Sequence, residues 1–264
     1  MMHHFRSLLL LTPLFILGCQ TTEPDQEQSP KRFSLVASEH SNITFSNLVE
    51  NQKDFNIFKY RNFYNGGGVA AGDLDNDGLV DLYFTGNQVS NKLYHNKGTL
   101  KFEDITESAG VTGDGGWSTG VSMADVNGDG LLDIYVCQVN EQGNGKGKNK
   151  LYLNQGKLKF KEAAADFGLD FSGYSTHAAF FDYDRDGDLD MYLLNHNVKS
   201  PEVFAKSENR NKPDPSGDKL YKNLLAEGKT GFEEVTLASG IYSSVLGFGL
   251  GVSVEDFNAD GWLD

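Results

Sequence analysis

A chain of 264 residues with a formal net charge of −14 has room for one large domain or two ordinary ones and a sizeable buried core. Charge of that sign argues against nucleic acid as a partner and gives an anionic membrane surface nothing to attract. The acidity is local: nine-residue stretches starting at Asp73, Asp125, Asp182 and Asp256 carry −4, −3, −4 and −3, and the rest of the chain is balanced.

In chain order, the first element is "MMHHFRSLLLLTPLFILGC". Its apolar run from Leu8 to Leu17 is too short to span a bilayer and has the length of a secretory signal. Ile16-Leu17-Gly18-Cys19 resembles a bacterial lipobox, which predicts a leader over 1–18 and lipidation of Cys19. An ordinary signal peptide with a chance cysteine is the plainer alternative. Residues 19–32, polar and Pro-containing, read as a flexible tether. Cys137, the one other cysteine, sits in "DIYVCQVN" and reads as a buried free thiol, so no disulfide framework is expected.

From residue 33 onward the chain repeats itself. Short runs of small and apolar residues ("GVAAG", "GVSMA", "HAAFF", "GVSVE") enter the acidic stretches. "LYFTGN", "IYVCQVN" and "MYLLNHN" leave the first three, followed by "NKLYHN", "NKLYLN", "DKLYKN" and a tail such as "FEDITESAGV". "FSLVASEHSNI" from Phe33 matches that tail and opens the domain with a partial unit. Apolar residues alternate around the loops: Val69 and Ala71, then Val80, Leu82 and Phe84 in the first unit. Period two with glycine-rich turns predicts about four strands per unit. Units of roughly 50 residues built this way predict an all-β fold, a β-propeller of four-stranded blades over 33–264 with about four blades' worth present. A β-sandwich or solenoid of the same hairpins is the alternative. Small residues entering each loop suit inner strands near the axis.

Carboxylates crowded within about 4–5 Å repel by roughly several kcal/mol at an effective dielectric near 20, so the cluster must protonate, loosen or hold a cation. Oxygens at positions 1, 3 and 5 of a tight turn converge on one point, and an all-oxygen set suits Ca²⁺. Position 6 is Gly78, Gly130, Gly187 and Gly261, where the chain must turn with positive φ. Expected ligands in the first loop are Asp73, Asp75, Asp77 and Asp81 with the carbonyl of Leu79. The second offers Asp125, Asn127, Asp129, Leu131 and Asp133, the third Asp182, Asp184, Asp186, Asp188 and Asp190, and the fourth Asp256, Asn258, Asp260, Trp262 and Asp264. Three to four calcium sites are expected. An EF-hand would need a bidentate Glu at position 12, where Phe84, Val136 and Leu193 stand inside apolar strands.

"FYNGGGVAAGDLDNDGLVDLYFTGN" and the "NKLYxN…F" tail resemble the FG-GAP/VCBS repeat family, whose blades also build integrin α-subunit propellers. They are similar too to bacterial repeat proteins of the cartilage-acidic-protein type, which often carry an ASPIC/UnbV domain. The resemblance implies a propeller, commonly of seven blades, with structural calcium in rim loops and ligands on the opposite face. The chain stops at Asp264 where a strand should begin, so it is expected to be the N-terminal part of a longer protein or an incomplete gene product.

The resulting expectation is a calcium-binding module of a bacterial envelope lipoprotein, anchored by lipid alone at the outer membrane or cell surface, binding an extracellular protein or glycan. Loop length supports it: residues 88–90, 141–148 and 198–217 lengthen one point of the repeat, and such insertions map to one face. A carbohydrate-active enzyme and a scaffold for a further domain are the alternatives. No nucleophile–base pair, HExxH or phosphate loop is present, so the reading leans away from an enzyme. His177 and His196 could face a central channel. Tyr83, Tyr135 and Tyr192, like Tyr94, Tyr152 and Tyr221, are expected between blades, and Trp117 and Tyr174 are expected as exposed contacts.

Overall fold

Apolar runs on either side of the first three acidic stretches pair as antiparallel hairpins, and two further strands add outside each of them. The computed structural model describes residues 32–140, 147–197, 213–214 and 216–264. The leader, Cys19, the tether up to residue 31 and most of the 141–148 and 198–217 insertions lie outside those residues. The first sheet holds β1 (Val69–Gly72), β2 (Asp81–Phe84), β3 (Lys92–Asn96) and β4 (Phe102–Asp104). The second holds β5 (Trp117–Ala124), β6 (Asp133–Val139), β7 (Lys150–Asn154) and β8 (Phe160–Glu162). The third holds β9 (Ser175–Phe181), β10 (Asp190–Asn195), β11 (Lys219–Asn223) and β12 (Phe232–Glu234). Strands neighbour one another in chain order, the meander of a propeller blade. Among the described residues there are three complete blades and the loop of a fourth, closed by a backbone pair between Glu255 and Asp264.

Register fixes where each acidic loop sits. Gly72 pairs with Asp81, Ala124 with Asp133 and Phe181 with Asp190, so the ninth loop residue is always the first residue of the second strand. The loop therefore joins the first two strands at one end of the sheet, and the variable-length insertion joins the second and third at the other.

The inner strands approach each other backbone to backbone. Gly68 N–H donates to Thr119 O at 2.8 Å, and Thr119 Oγ1 donates to Ser175 O at 2.7 Å. A Cβ on Gly120 would lie 2.3 Å from the Thr176 carbonyl oxygen, which is why a glycine stands there. In β1 the alternation faces the other way from the expected one. Ala70 packs on the core while Val69 is exposed, because the side toward the second blade has no room: a Cβ on Gly72 would lie 2.8 Å from Leu132 Cδ1.

Large side chains fill the space between blades. Leu74, Tyr83, Leu93, Val121, Ile134 and Tyr152 form one cluster, and Tyr135, Cys137, Leu151, Met191, Leu193 and Tyr221 belong to the next. Four of the six repeated tyrosines belong to these clusters; Tyr94 is buried against Phe84 instead, and Tyr192 is half-buried. Tyr83 and Tyr135 hydroxyls donate to Val111 O at 2.7 Å and Leu169 O at 3.1 Å, tying each second strand to the outgoing connection. Cys137 is free and buried, and burial pushes its thiol pKa up.

Two expectations fail. Trp117 is buried, not an exposed contact: Phe55, Tyr60 and Phe63 surround it, with Phe55 edge-on at 4.6 Å. Tyr174 is partly buried against the same cluster. The unit also contains helical turns with no sustained period to reveal them: α1 (Ser38–Ser41), α2 (Thr106–Ala109) and α3 (Ala164–Phe167), ended by the left-handed residues Asn42, Gly110 and Gly168. The first lies in the partial opening unit, at the place the repeat assigns it. No helix among the described residues is long and apolar enough to cross a membrane.

Candidate metal centres

The four acidic loops share one hydrogen-bond frame. The first residue's carboxylate accepts the N–H groups of positions 5 and 6, as Asp73 does from Asp77 at 3.1 Å and Gly78 at 2.8 Å. Asp125, Asp182 and Asp256 repeat both bonds. The fifth residue accepts the N–H of the seventh: Asp77 from Leu79, Asp129 from Leu131, Asp186 from Asp188 and Asp260 from Trp262. Glycine at position 6 has φ between +84° and +96° in all four loops. Position 4 is left-handed too, at Asn76, Gly128, Arg185 and Ala259, residues with no chemistry in common.

Position 9 is a buried clip. Asp81, Asp133 and Asp190 are at most 1 % exposed. One oxygen of each accepts the N–H of loop position 2 (Leu74, Val126, Tyr183), and Asp264 does the same for Phe257. The other oxygen accepts, at 2.8 Å, the N–H of the asparagine that ends the third strand: Asn96, Asn154 or Asn223. Burial raises the Asp133 and Asp190 carboxyls to about 6, even though two backbone N–H groups on each pull the other way.

The last two of those asparagines also cross to the preceding blade, while Asn96 Nδ2 donates to Val80 O of its own loop. Asn154 Nδ2 donates to Leu74 O at 2.8 Å, and Asn223 Nδ2 to Val126 O at 2.9 Å. Each strap grips the second residue of the preceding blade's acidic loop. Position 4 makes a further link where its side chain allows: Asn76 Nδ2 donates to Gly130 O at 3.2 Å, and Arg185 reaches Gly261 O while lying over the Trp262 ring at 4.3 Å.

Position 3 is where charge is left over. Oxygens of Asp73, Asp75 and Asp77 lie within 4.8 Å of one another, as do those of Asp182, Asp184 and Asp190. Asp75 Oδ1 and Asp184 Oδ1 are buried and have no hydrogen-bond partner among the described residues. Burial, then the charge of Asp77, raises the Asp75 carboxyl. A buried acceptor without a donor costs about 1–3 kcal/mol, more when charged, and a divalent cation would satisfy it. In the second and fourth loops position 3 is Asn127 or Asn258, whose amides bond to Asp129 and Asp260. The donor set of all four loops is hard oxygen, and the residues present in the first, second and fourth fit Ca²⁺.

The fourth residue of each third strand faces its own loop's carboxylates or packs in the core: His95 in β3, Leu153 in β7, Lys222 in β11. His95 Nδ1 lies 3.0 Å from Asp81 Oδ1, and that pair groups with Asp75. Leu153 belongs to the core. Lys222 Nζ lies 2.6 Å from Asp184 Oδ2 and 3.2 Å from Asp186 Oδ2. The repeated "KLYxN" displays this position as the varying one, but only the register reveals what it faces.

Elsewhere, His177 lines a cleft at the inner strands with Tyr60, Asn62, Thr119 and Thr176. His196 is buried edge-on against Phe248 at 5.3 Å.

A family profile described as FG-GAP-like repeat matches residues 73–136 and 139–193. Cartilage acidic protein 1 of Xenopus tropicalis is 31 % identical over 208 residues, 77 % of this chain and 29 % of that protein. The mouse protein of the same name is 30 % identical over 203 residues and the human one 30 % over 207, covering 75 % and 76 % of this chain. The chain thus spans under a third of the length of these curated relatives.

Proposed function

We propose that this chain, which carries FG-GAP-like repeats, is a calcium-stabilised binding module of a bacterial envelope lipoprotein, held at the outer membrane or cell surface through Cys19 and engaging an extracellular protein or glycan. The observation that carries the calcium reading is the buried Asp75 Oδ1, an oxygen without a hydrogen-bond partner among the described residues, in a loop where carboxylate oxygens of Asp73 and Asp77 lie within 4.8 Å of an oxygen of Asp75. When bound, calcium supplies the positive charge and the converging coordination that such a loop lacks. The chain's own groups do the rest. Position 1 shapes the turn, position 9 pins it to the sheet, and the asparagine straps carry that rigidity to the next blade.

Binding is assigned to the end of the blades away from the loops. The segments 88–90, 141–148 and 198–217 all leave the second strand there, and their lengths vary while the acidic loops keep nine residues. Side chains that change while the frame does not are the ordinary mark of a recognition surface on a rigid scaffold.

Thermal unfolding of the complete mature protein in millimolar calcium and in EDTA tests the calcium half. A large upward shift with calcium is expected, and identical curves in the two buffers would refute it. Screening the same protein, with and without residues 198–212, on a glycan array and on immobilised extracellular proteins tests the second half. Retention there should depend on the insertion, whereas equal retention would move the binding face elsewhere.

A further inference from the structure

The third loop differs from the others in containing a positive charge of its own. Lys222 comes from β11, where its backbone pairs with Glu233, so the stem starts from a fixed place in the sheet. Its Nζ spans the carboxylates of positions 3 and 5, 2.6 Å from Asp184 Oδ2 and 3.2 Å from Asp186 Oδ2, with Glu227 Oε1 at 3.9 Å. On the calcium reading, those two positions are both ligands of the bound ion. Calcium needs oxygens at about 2.3–2.6 Å. An ion between Asp184 and Asp186 would therefore stand where the ammonium stands, and one must leave for the other to enter.

We propose that Lys222 is a built-in cation for the third loop, so that this loop closes without calcium and binds it far more weakly than the first two. The inference rests on reading the loops as calcium sites. Three comparisons inside the molecule support it. At the same strand position the second blade has Leu153, so the fold does not require a charge there. The first blade has His95, which contacts Asp81 at position 9 and groups with Asp75 but forms no ion pair with Asp75 or Asp77 among the described residues. The third loop also carries Asp188 at position 7, a carboxylate the other loops lack. Its Oδ2 accepts the Ala226 N–H at 2.7 Å, which ties the loop to the segment just beyond Lys222. Beyond the position-9 clip that all three loops share, only the third among the described loops has carboxylates at positions 3 and 5 paired to a lysine of its own third strand.

The consequence is a module whose rim is not uniform. At low calcium the third blade keeps its shape while its neighbours lose theirs, so the module has one calcium-independent blade beside the insertion at 198–217.

The test is calcium stoichiometry by equilibrium dialysis, with thermal unfolding in calcium and in EDTA, on the complete mature protein and on Lys222→Leu and Lys222→Met. Lys222→Leu copies the second blade. One additional ion bound by both variants is expected, with a lower melting temperature in EDTA that calcium restores. In the parent protein, Asp186→Asn should lower stability equally in both buffers and leave the stoichiometry unchanged, with third-loop affinity at least about tenfold below the others. Equal stoichiometry in parent and Lys222 variants, with one ion lost in Asp186→Asn, would overturn the proposal by showing that the lysine steps aside. No calcium bound by any of these proteins is a different result. It would overturn the calcium reading of every loop, and this inference with it.

Discussion

The axis and the rim hold the same blades together by opposite means. At the axis, Gly68, Thr119, Gly120 and Ser175 join neighbouring strands through backbone carbonyls and short hydroxyls, with no charge involved. At the rim, aspartates hold backbone N–H groups and leave oxygens such as Asp75 Oδ1 without a donor. The difference teaches that sheet geometry and loop geometry answer to different conditions. Axial contacts depend on shape alone, so solvent ions leave them untouched. Rim contacts concentrate like charge, and their strength is set by what neutralises it.

The largest expected effect comes from a residue serving the rim in two ways. Asp133→Ala leaves the Val126 and Asn154 N–H groups unpaired and removes a ligand. We expect a loss of roughly 5 kcal/mol in calcium and about half of that in EDTA, read from denaturant unfolding. At the axis, Gly120→Ala places a methyl against the Thr176 carbonyl. Its cost of about 3 kcal/mol should be the same in both buffers; a calcium-dependent cost would show that the two regions are coupled. Asp129→Ala sharpens the contrast from the other side. It should lose about 2.7 kcal/mol in calcium at a hundredfold excess over Kd, and little in EDTA.

The smallest effect is one of pH and belongs to the axis. Burial lowers the His177 pKa below the ordinary histidine value of 6.5. The neutral ring's contribution is therefore present above pH 6.5 and is lost as pH falls toward the depressed folded value, because the unfolded chain takes up the proton first. In saturating calcium, His177→Gln should flatten the fall in stability between pH 6.5 and 5 by under about 1 kcal/mol. An unchanged slope would assign that fall to other groups.

Much of this was legible in the sequence because it repeats. Four aspartate loops in register with period-two runs announce hairpins, and the glycine at position 6 announces its positive φ. What stayed hidden needed partners from far along the chain. Trp117 follows glycines and looks exposed, but residues 55–63, outside the repeat, bring the rings that cover it. The left-handed position 4 is occupied by Asn, Gly, Arg and Ala, so no residue type signals it. One-turn helices are too short to show a period. Lys222 reads as an ordinary strand lysine until the register turns it toward Asp184 and Asp186.

The asparagine straps have a direction. Asn154 reaches back to Leu74 and Asn223 back to Val126, never forward. Each blade thus locks onto a carbonyl that is in place only once the preceding loop has closed. A chain that emerges from its N-terminus meets these docking points in the order in which it needs them. Assembly can then proceed like courses of brick, each laid on one already set, and a loop that fails to close halts the courses after it while sparing those before.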